Sequence, residues 1–298
     1  MATSVNGGFQ LVSSAFVEVI EIGKDGILNK QQLASKIWES VNQMRSKIEA
    51  HEYKDYILGF IFYKYLSEQL VRFAQHEGMT EDNIKALRED DAETVTYFQE
   101  KLGYFIAYDD FFSTWLAAGS QFDVANVRDG LSAFERLIHD HHKKLFDGIF
   151  NTLQTGLSKL EETAGKQTNA ILNLLHLIKD IPMDGKRGYD VLGYIYEYLL
   201  EKFADNAGKK AGEFYTPHEV SLLMSEIVAH HLKDRQQIQI YDPTSGSGSL
   251  LINIGSSVAK YLDNTNNIKY YAQELKANTY NLTQMNLVMW GILPINIG

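Results

Sequence analysis

Two acids and a run of small residues are the first groups in this chain that could do chemistry together. Asp242 to Gly248 reads DPTSGSG, directly after the short β-branched and aromatic run IQIYD and before LLINIGSSVAKYL. Small residues at a strand-to-helix turn let a ligand approach the backbone, and a following helix N-terminus presents N–H groups to it. Such turns serve many nucleotide-containing cofactors, so the turn alone does not name one. A phosphate-cradling P-loop needs Gly-Lys-Ser/Thr, but Gly248 is followed by Ser249 and Leu250. The dinucleotide fingerprint G-x-G-x-x-G breaks at Leu251. Asp242, at the strand end, suits an ammonium group better than a pyrophosphate, though it could also only cap a helix. Glu274 closes the next candidate strand, NIKYYAQE, where a carboxylate can accept both ribose hydroxyls of an adenosine. NAD and S-adenosylmethionine sites share that feature, so Glu274 points to adenosine without choosing between them.

The elements that must position these groups follow from periodicity. IQIYD (Ile238 to Asp242) and NIKYYAQE (Asn267 to Glu274) read as strands, each followed by a helix, the second being KANTYNLTQMNLVMWG. Strand–loop–helix–strand–helix implies a parallel sheet with right-handed crossovers. Upstream, TPHEVSLLMSEIVAHHL is a helix with Pro217 where a missing N–H costs little. The first half reads as helical. Leu33, Ile37, Val41, Met44 and Ile48 share one helix face, and EYKDYILGFIFYKYLSEQLVRF is apolar almost all round, as a central bundle helix would be. Thr80 can cap a helix beginning at TEDNIKAL. YFIAYDDFFSTWLAAG and NVRDGLSAFERLIHDHHKKLF continue the helical pattern, followed by NAILNLLHLIKDI and YDVLGYIYEYLLEKFA. No strand is expected before about residue 236. A polar stretch, EETAGKQT (Glu161 to Thr168), marks the boundary. The expected fold is α/β plus all-α: a helical bundle over 1–165, then an incomplete doubly wound α/β domain over 166–298.

Composition excludes several classes. With no cysteine among 298 residues there is no disulfide framework and no Cys-ligated metal, which fits a reducing, cytoplasmic setting. MATSVNGGFQLVSS lacks the basic-then-apolar layout of a secretory signal, and no apolar run approaches a membrane span. A net charge of −10 argues against DNA binding as the chain's sole task. Any DNA contact needs a local basic patch or a partner; Lys209 and Lys210 could touch DNA, but a solvated loop accounts for them equally well. His139, His141 and His142 could share a metal, positions 139 and 142 lying on one helix face, but a polar helix end is simpler. His230 and His231, at the end of a helix, read as compensating its dipole or as simply exposed.

GEFYTPHEV (Gly212 to Val220) lies just before the first strand. Together with DPTSGSGSLL and AQELKANTYNLTQMNLVMWGI it resembles the amino-methyltransferases of the type I restriction–modification modification-subunit family. YDVLGYIYEYLLEKFA is similar to that family's lead-in, and LASKIWESVNQMRSKIEAHEYKDYILGFIFYKYLSEQL to its helical domain, so the resemblance covers most of residues 31 to 298. It implies an S-adenosylmethionine-dependent DNA adenine-N6 methyltransferase subunit. Glu213, Phe214, Tyr215, Thr216, Pro217 and His218 would close over the methionine end of the cofactor. Asp242, Thr244, Gly246, Ser247, Gly248 and Ser249 would form the methionine-side loop, and Glu274 would hold the ribose. Ser245, Ser247 and Ser249 stand where the family often has small apolar residues. The resemblance also implies partners: a specificity subunit, a restriction subunit and double-stranded DNA, with no membrane.

The family's Asn-Pro-Pro-Tyr/Phe tetrapeptide, which holds the target amine and stacks on the flipped base, is absent. The four prolines, Pro182, Pro217, Pro243 and Pro294, are nowhere adjacent. The chain by itself is therefore expected to bind cofactor at best and to have no catalytic residue. The expected setting is a fragment of a longer subunit, or alternatively a non-catalytic interaction module that docks the specificity subunit.

Overall fold

The computed structural model describes residues 35–39, 50–181, 183, 193–199, 202 and 216–293. Its longest helix, α1 (Ala50–His76), is the axis of the first half. Tyr56, Ile57, Phe60, Ile61, Phe62 and Tyr63 on successive sides of α1 are all buried, which is why its sequence lacks a polar stripe. The buried Lys64 offsets its desolvation by donating to the Ile181 carbonyl at 2.7 Å and pairing with Glu68. Around α1 lie α2 (Glu81–Lys85), α3 (Ala92–Leu102), α4 (Phe112–Ala117), α5 (Val124–Arg136), α6 (Lys143–Phe146), α7 (Asn151–Gly156) and α8 (Ala164–Ile178). Thr80 caps α2 in a reciprocal box with Asn83, as its place before TEDNIKAL predicts. Aromatic packing organises this core: the Tyr63 ring stacks on Trp115 at 4.7 Å and meets Phe134 and Phe150 edge-on.

The helical expectation fails locally in two places. In YFIAYDDFFSTWLAAG only the later part is helical. Tyr104 bridges Ile138 in antiparallel fashion, and Tyr108–Asp110 forms a single 3-10 turn before α4. Phe105 N donates to Leu137 O and His139 N to Gly103 O, so cross-chain pairing replaces the helical bonds. That same pairing ends α5 at Arg136 and leaves His139 capping a 3-10 turn over Asp140–His142. Positions 139 and 142 therefore do not share an α-helical face. Of the face from Leu33 to Ile48, only 35–39 is described, and it is helical; the rest lies outside the described residues.

The second half begins with helical residues at 193–199 and resumes with α9 (His218–Leu232), β1 (Ile238–Asp242), α10 (Ser249–Ala259), β2 (Ile268–Ala272) and α11 (Ala277–Met289). β1 and β2 pair in parallel, Ile238 opposite Ile268 and Asp242 opposite Ala272. Ile238 and Ile240 point inward against Leu251, Ile252 and Val258 of α10. α9 packs on α10 through its small residues Ser221, Ser225 and Ala229, with Asn253 donating to the Ser221 hydroxyl at 2.9 Å. α11 joins both cores, Leu282 and Met285 lying in the first and Leu287 in the second. The named strands among the described residues all follow residue 236, and no described helix is long and apolar enough to cross a membrane.

Candidate functional site

The carboxyl ends of β1 and β2 open onto a cavity of about 440 Å³, within the ~300–1,000 Å³ usual for small-molecule sites. Strand pairing continues into the turn beside it: Gln273 N donates to Asp242 O at 2.9 Å and Ser245 N to Gln273 O at 3.0 Å. This brings Asp242 and Glu274 to one rim, as the parallel register requires.

Asp242 is 9% exposed, and its Oδ1 accepts the Thr244 amide at 3.0 Å, bending the chain out of β1. Gly246 (φ 59°) and Gly248 (φ 79°) carry the turn through the left-handed region, which disfavours side chains, and Gly248 stands at the N-cap of α10. Glu274 reaches back across the turn. Its Oε2 accepts the Gly246 amide at 3.1 Å and its Oε1 the Lys276 amide at 3.0 Å. A carboxylate has about four acceptor positions, so these two bonds fix its orientation and leave capacity for ligand hydroxyls.

The three serines of the turn spend their hydroxyls internally. Ser247 Oγ lies 2.7 Å from Ser249 Oγ, and Ser245 Oγ lies 2.9 Å from Thr283 Oγ1 on α11. The same Thr283 hydroxyl is 2.7 Å from the Gly246 carbonyl, and Asn286 Nδ2 donates to the Ser247 carbonyl at 2.9 Å. Serine in place of a small apolar residue therefore leaves no unsatisfied hydroxyl here.

Of the sequence-predicted residues, Thr216, Asp242, Thr244, Gly246, Ser247, Ser249 and Glu274 line the cavity. Gly248 shapes the turn without lining it. Pro217 caps α9 and His218 opens that helix, neither lining the cavity. Glu213, Phe214 and Tyr215 lie outside the described residues. Tyr196, Glu197, Ser245, Leu250, Lys276 and Thr279 also line it and were not predicted. Tyr196 and Glu197 come from a segment read as a helix, with none of its residues singled out. A weak signal existed for α11: Thr279, Thr283 and Asn286 repeat at helical spacing and are all buried.

The cavity holds three carboxylate side chains, Glu197, Asp242 and Glu274, against one ammonium, Lys276. That surplus of negative charge opposes a phosphate-rich ligand and favours a cationic one. Neutral hydroxyl-bearing groups find acceptors at Glu274. The arrangement suits a hydroxyl-bearing ligand with a cationic group and no phosphates. Among the described residues no group of His, Asp or Glu is placed to hold a metal ion.

Comparisons with known proteins bear on the family of the chain. A family model described as "N-6 DNA Methylase" matches residues 187–297, and one described as "HsdM N-terminal domain" matches residues 33–178. The type I restriction enzyme MpnII methylase subunit of Mycoplasma pneumoniae is 29% identical over 274 residues, the alignment covering 86% of this chain and 50% of that protein. The MjaIX methylase subunit of Methanocaldococcus jannaschii is 26% identical over 267 residues, covering 87% and 46%. In a crystal structure, the type I restriction-modification system methyltransferase subunit of Streptococcus thermophilus matches with a TM-score of 0.71 at 31% identity, covering 91% of this chain and 58% of that one. The chain thus spans about half the length of the curated relatives it matches. With the helical and methylase matches following one another in order, the chain belongs to the modification, or methyltransferase, subunit family of type I restriction–modification systems.

Proposed function

We propose that the cavity binds S-adenosylmethionine and that this chain is the cofactor-binding part of a cytoplasmic subunit that methylates adenine N6 in duplex DNA. One observation carries the reading: in a chain of this family, Asp242, the glycine–serine turn and Glu274 meet around a single acidic cavity. In this reading Glu274, already oriented by the Gly246 and Lys276 amides, accepts the ribose hydroxyls. Asp242 faces the methionine ammonium. Thr244, Gly246, Ser247, Gly248 and Ser249 form the methionine-side wall, and Glu213, Phe214, Tyr215, Thr216, Pro217 and His218 close the site against water. The bound cofactor would supply a methyl group activated by its sulfonium charge. This chain's residues bind and orient it; none is assigned to the transfer, because the adenine-holding tetrapeptide is absent from the 298 residues.

Partners complete the proposal: a specificity subunit that selects the DNA target and a restriction subunit that cuts unmodified DNA. A net charge of −10 supports leaving much of the DNA contact to a partner. The proposed division is a helical part over 1–165 and a cofactor part over 166–298, with α8 packing back onto the helical part. A second reading is a non-catalytic module that docks the specificity subunit.

Calorimetric titration separates the two. Saturable binding of S-adenosylmethionine but not NAD is expected. Asp242→Ala and Glu274→Ala should each weaken it about tenfold or more, as lost bonds to charged groups cost about 1.5–3 kcal/mol. Folded protein that binds no S-adenosylmethionine, or variants that bind as the parent does, would discard the cofactor reading.

A further inference from the structure

Helix α11 carries two polar faces that do different things. One holds the cavity turn: Thr279 lines the cavity, Thr283 Oγ1 reaches the Gly246 carbonyl at 2.7 Å, and Asn286 Nδ2 reaches the Ser247 carbonyl at 2.9 Å. Thr283 and Asn286 are fully buried, at 0% and 1% exposure, so these bonds face little competition from water. The other face is seated on the helical region. Asn278 Nδ2 donates to Asp55 Oδ2 of α1 at 2.9 Å, and its Oδ1 accepts from Thr152 Oγ1 of α7 at 3.0 Å. Gln284 Nε2 donates to the Lys144 carbonyl of α6 at 3.1 Å, and Tyr65 Oη of α1 donates to the Val288 carbonyl at 3.3 Å. Leu282 and Met285 fill the gap between these bonds, buried in the first core.

The consequence is mechanical. Glycines at positions 246 and 248, both in the left-handed region, give the turn an intrinsically permissive backbone that other contacts must hold in place. Two of its carbonyls are held by a helix whose opposite side is anchored to α1, α6 and α7. We propose that Thr283 and Asn286 are positioning residues of the cavity, and that the seating of α11 on the helical region sets how well the turn is preorganised for its ligand. Reciprocity follows: whatever binds the cavity tightens the contact of α11 with α1, α6 and α7, and a partner that grips the helical region changes ligand affinity by the same factor. Its ligand arm rests on the cofactor reading above; its structural arm does not.

Amide hydrogen exchange on the ligand-free chain tests the structural arm. The variants are Thr283→Val, which removes the hydroxyl at near-constant volume, and the pair Asn278→Ala with Gln284→Met, which touches no cavity residue. In both, the amides of Gly246, Gly248 and Ser249 should exchange about tenfold faster than in the parent. Those of Ile252 to Val258 in α10 should be unchanged, and Thr283→Ser should restore parental exchange. Unchanged turn amides in Asn278→Ala/Gln284→Met would overturn the coupling, and unchanged turn amides in Thr283→Val would overturn the positioning role. Equal acceleration throughout α10 would mark general destabilisation and also count against the proposal. If Thr283→Val does not fold, the double variant decides. In the ligand arm, S-adenosylmethionine should bind about fivefold to tenfold more weakly to both variants, and should slow exchange at 144–153 in the parent. A parent that binds no S-adenosylmethionine sinks the cofactor reading, while exchange of the turn amides still decides this one.

Discussion

Asp110 illustrates how a single residue can cost a fold stability. It sits half-buried at the foot of α4, where burial first, and then the charges of Asp109, Glu89 and Asp129, push its carboxyl up to about 6 against an opposing pull from Arg136. Because the folded state disfavours the ionised form, the penalty is fully present above pH 6. It is relieved as the pH falls through 6 toward the unfolded value of 3.8. Unscreened, such a shift would be about 3 kcal/mol, and solvent screening at a partly exposed site reduces it to ~1–2 kcal/mol. Asp110→Asn should therefore stabilise the chain at pH 7–8 by that amount, the gain vanishing near pH 4. Denaturant midpoints measured across this range would check it, and a pH-independent difference would show that the acid is not the cause. At this scale the sequence was informative where chemistry is local. Asp242 and Glu274 stood out because each closes a short candidate strand, the first at the start of a run of small residues. Tyr196 and Glu197 did not, since nothing in a helical lead-in says which of its residues meets a cavity formed some 50 positions later.

Among elements, local caps and the outer faces of helices mark the two ends of legibility. α5 begins at Asp123, whose Oδ1 accepts the Ala125 amide at 2.8 Å while Asn126 Oδ1 accepts the Asp123 amide at 2.8 Å. Removing that cap in Asp123→Ala should cost about 1 kcal/mol, read as a lower urea midpoint with an unchanged slope. A loss under a few tenths of a kcal/mol would mean that packing alone defines the start of α5. Caps of this kind are short-range and legible in residue types, as Thr80 was, although Asp123 was not singled out. The segment Tyr104–Ala107 was not legible in this way: it is as apolar as a core helix, and only the pairing of Phe105 with Leu137 and of Gly103 with His139 turns it extended. α11 was readable as a helix, but its division into one face for the turn and one for α1, α6 and α7 depends on what packs against each side.

At the scale of the whole chain, the proposed reading predicts ligand binding without turnover. Purified chain incubated with radiolabelled S-adenosylmethionine and duplex DNA should transfer no methyl group above background. Turnover would mean that residues other than the family's tetrapeptide can hold adenine. The same measurement on a longer chain carrying Asn-Pro-Pro-Tyr/Phe gives the positive comparison.

The order of the α/β elements, the two strand positions, Asp242 and Glu274 and the family were present in the sequence. The elements rest on periodicity and on near neighbours along the chain, and the family rests on the resemblance of its motifs. The cavity itself was decided by tertiary structure. Parallel pairing of β1 with β2 set Asp242 beside the segment that leads to Glu274, the 193–199 helix supplied Tyr196 and Glu197, and α11 tied the turn to the helical region. Those contacts join residues from about 30 to more than 200 positions apart, where no local pattern records which partner a side chain will find.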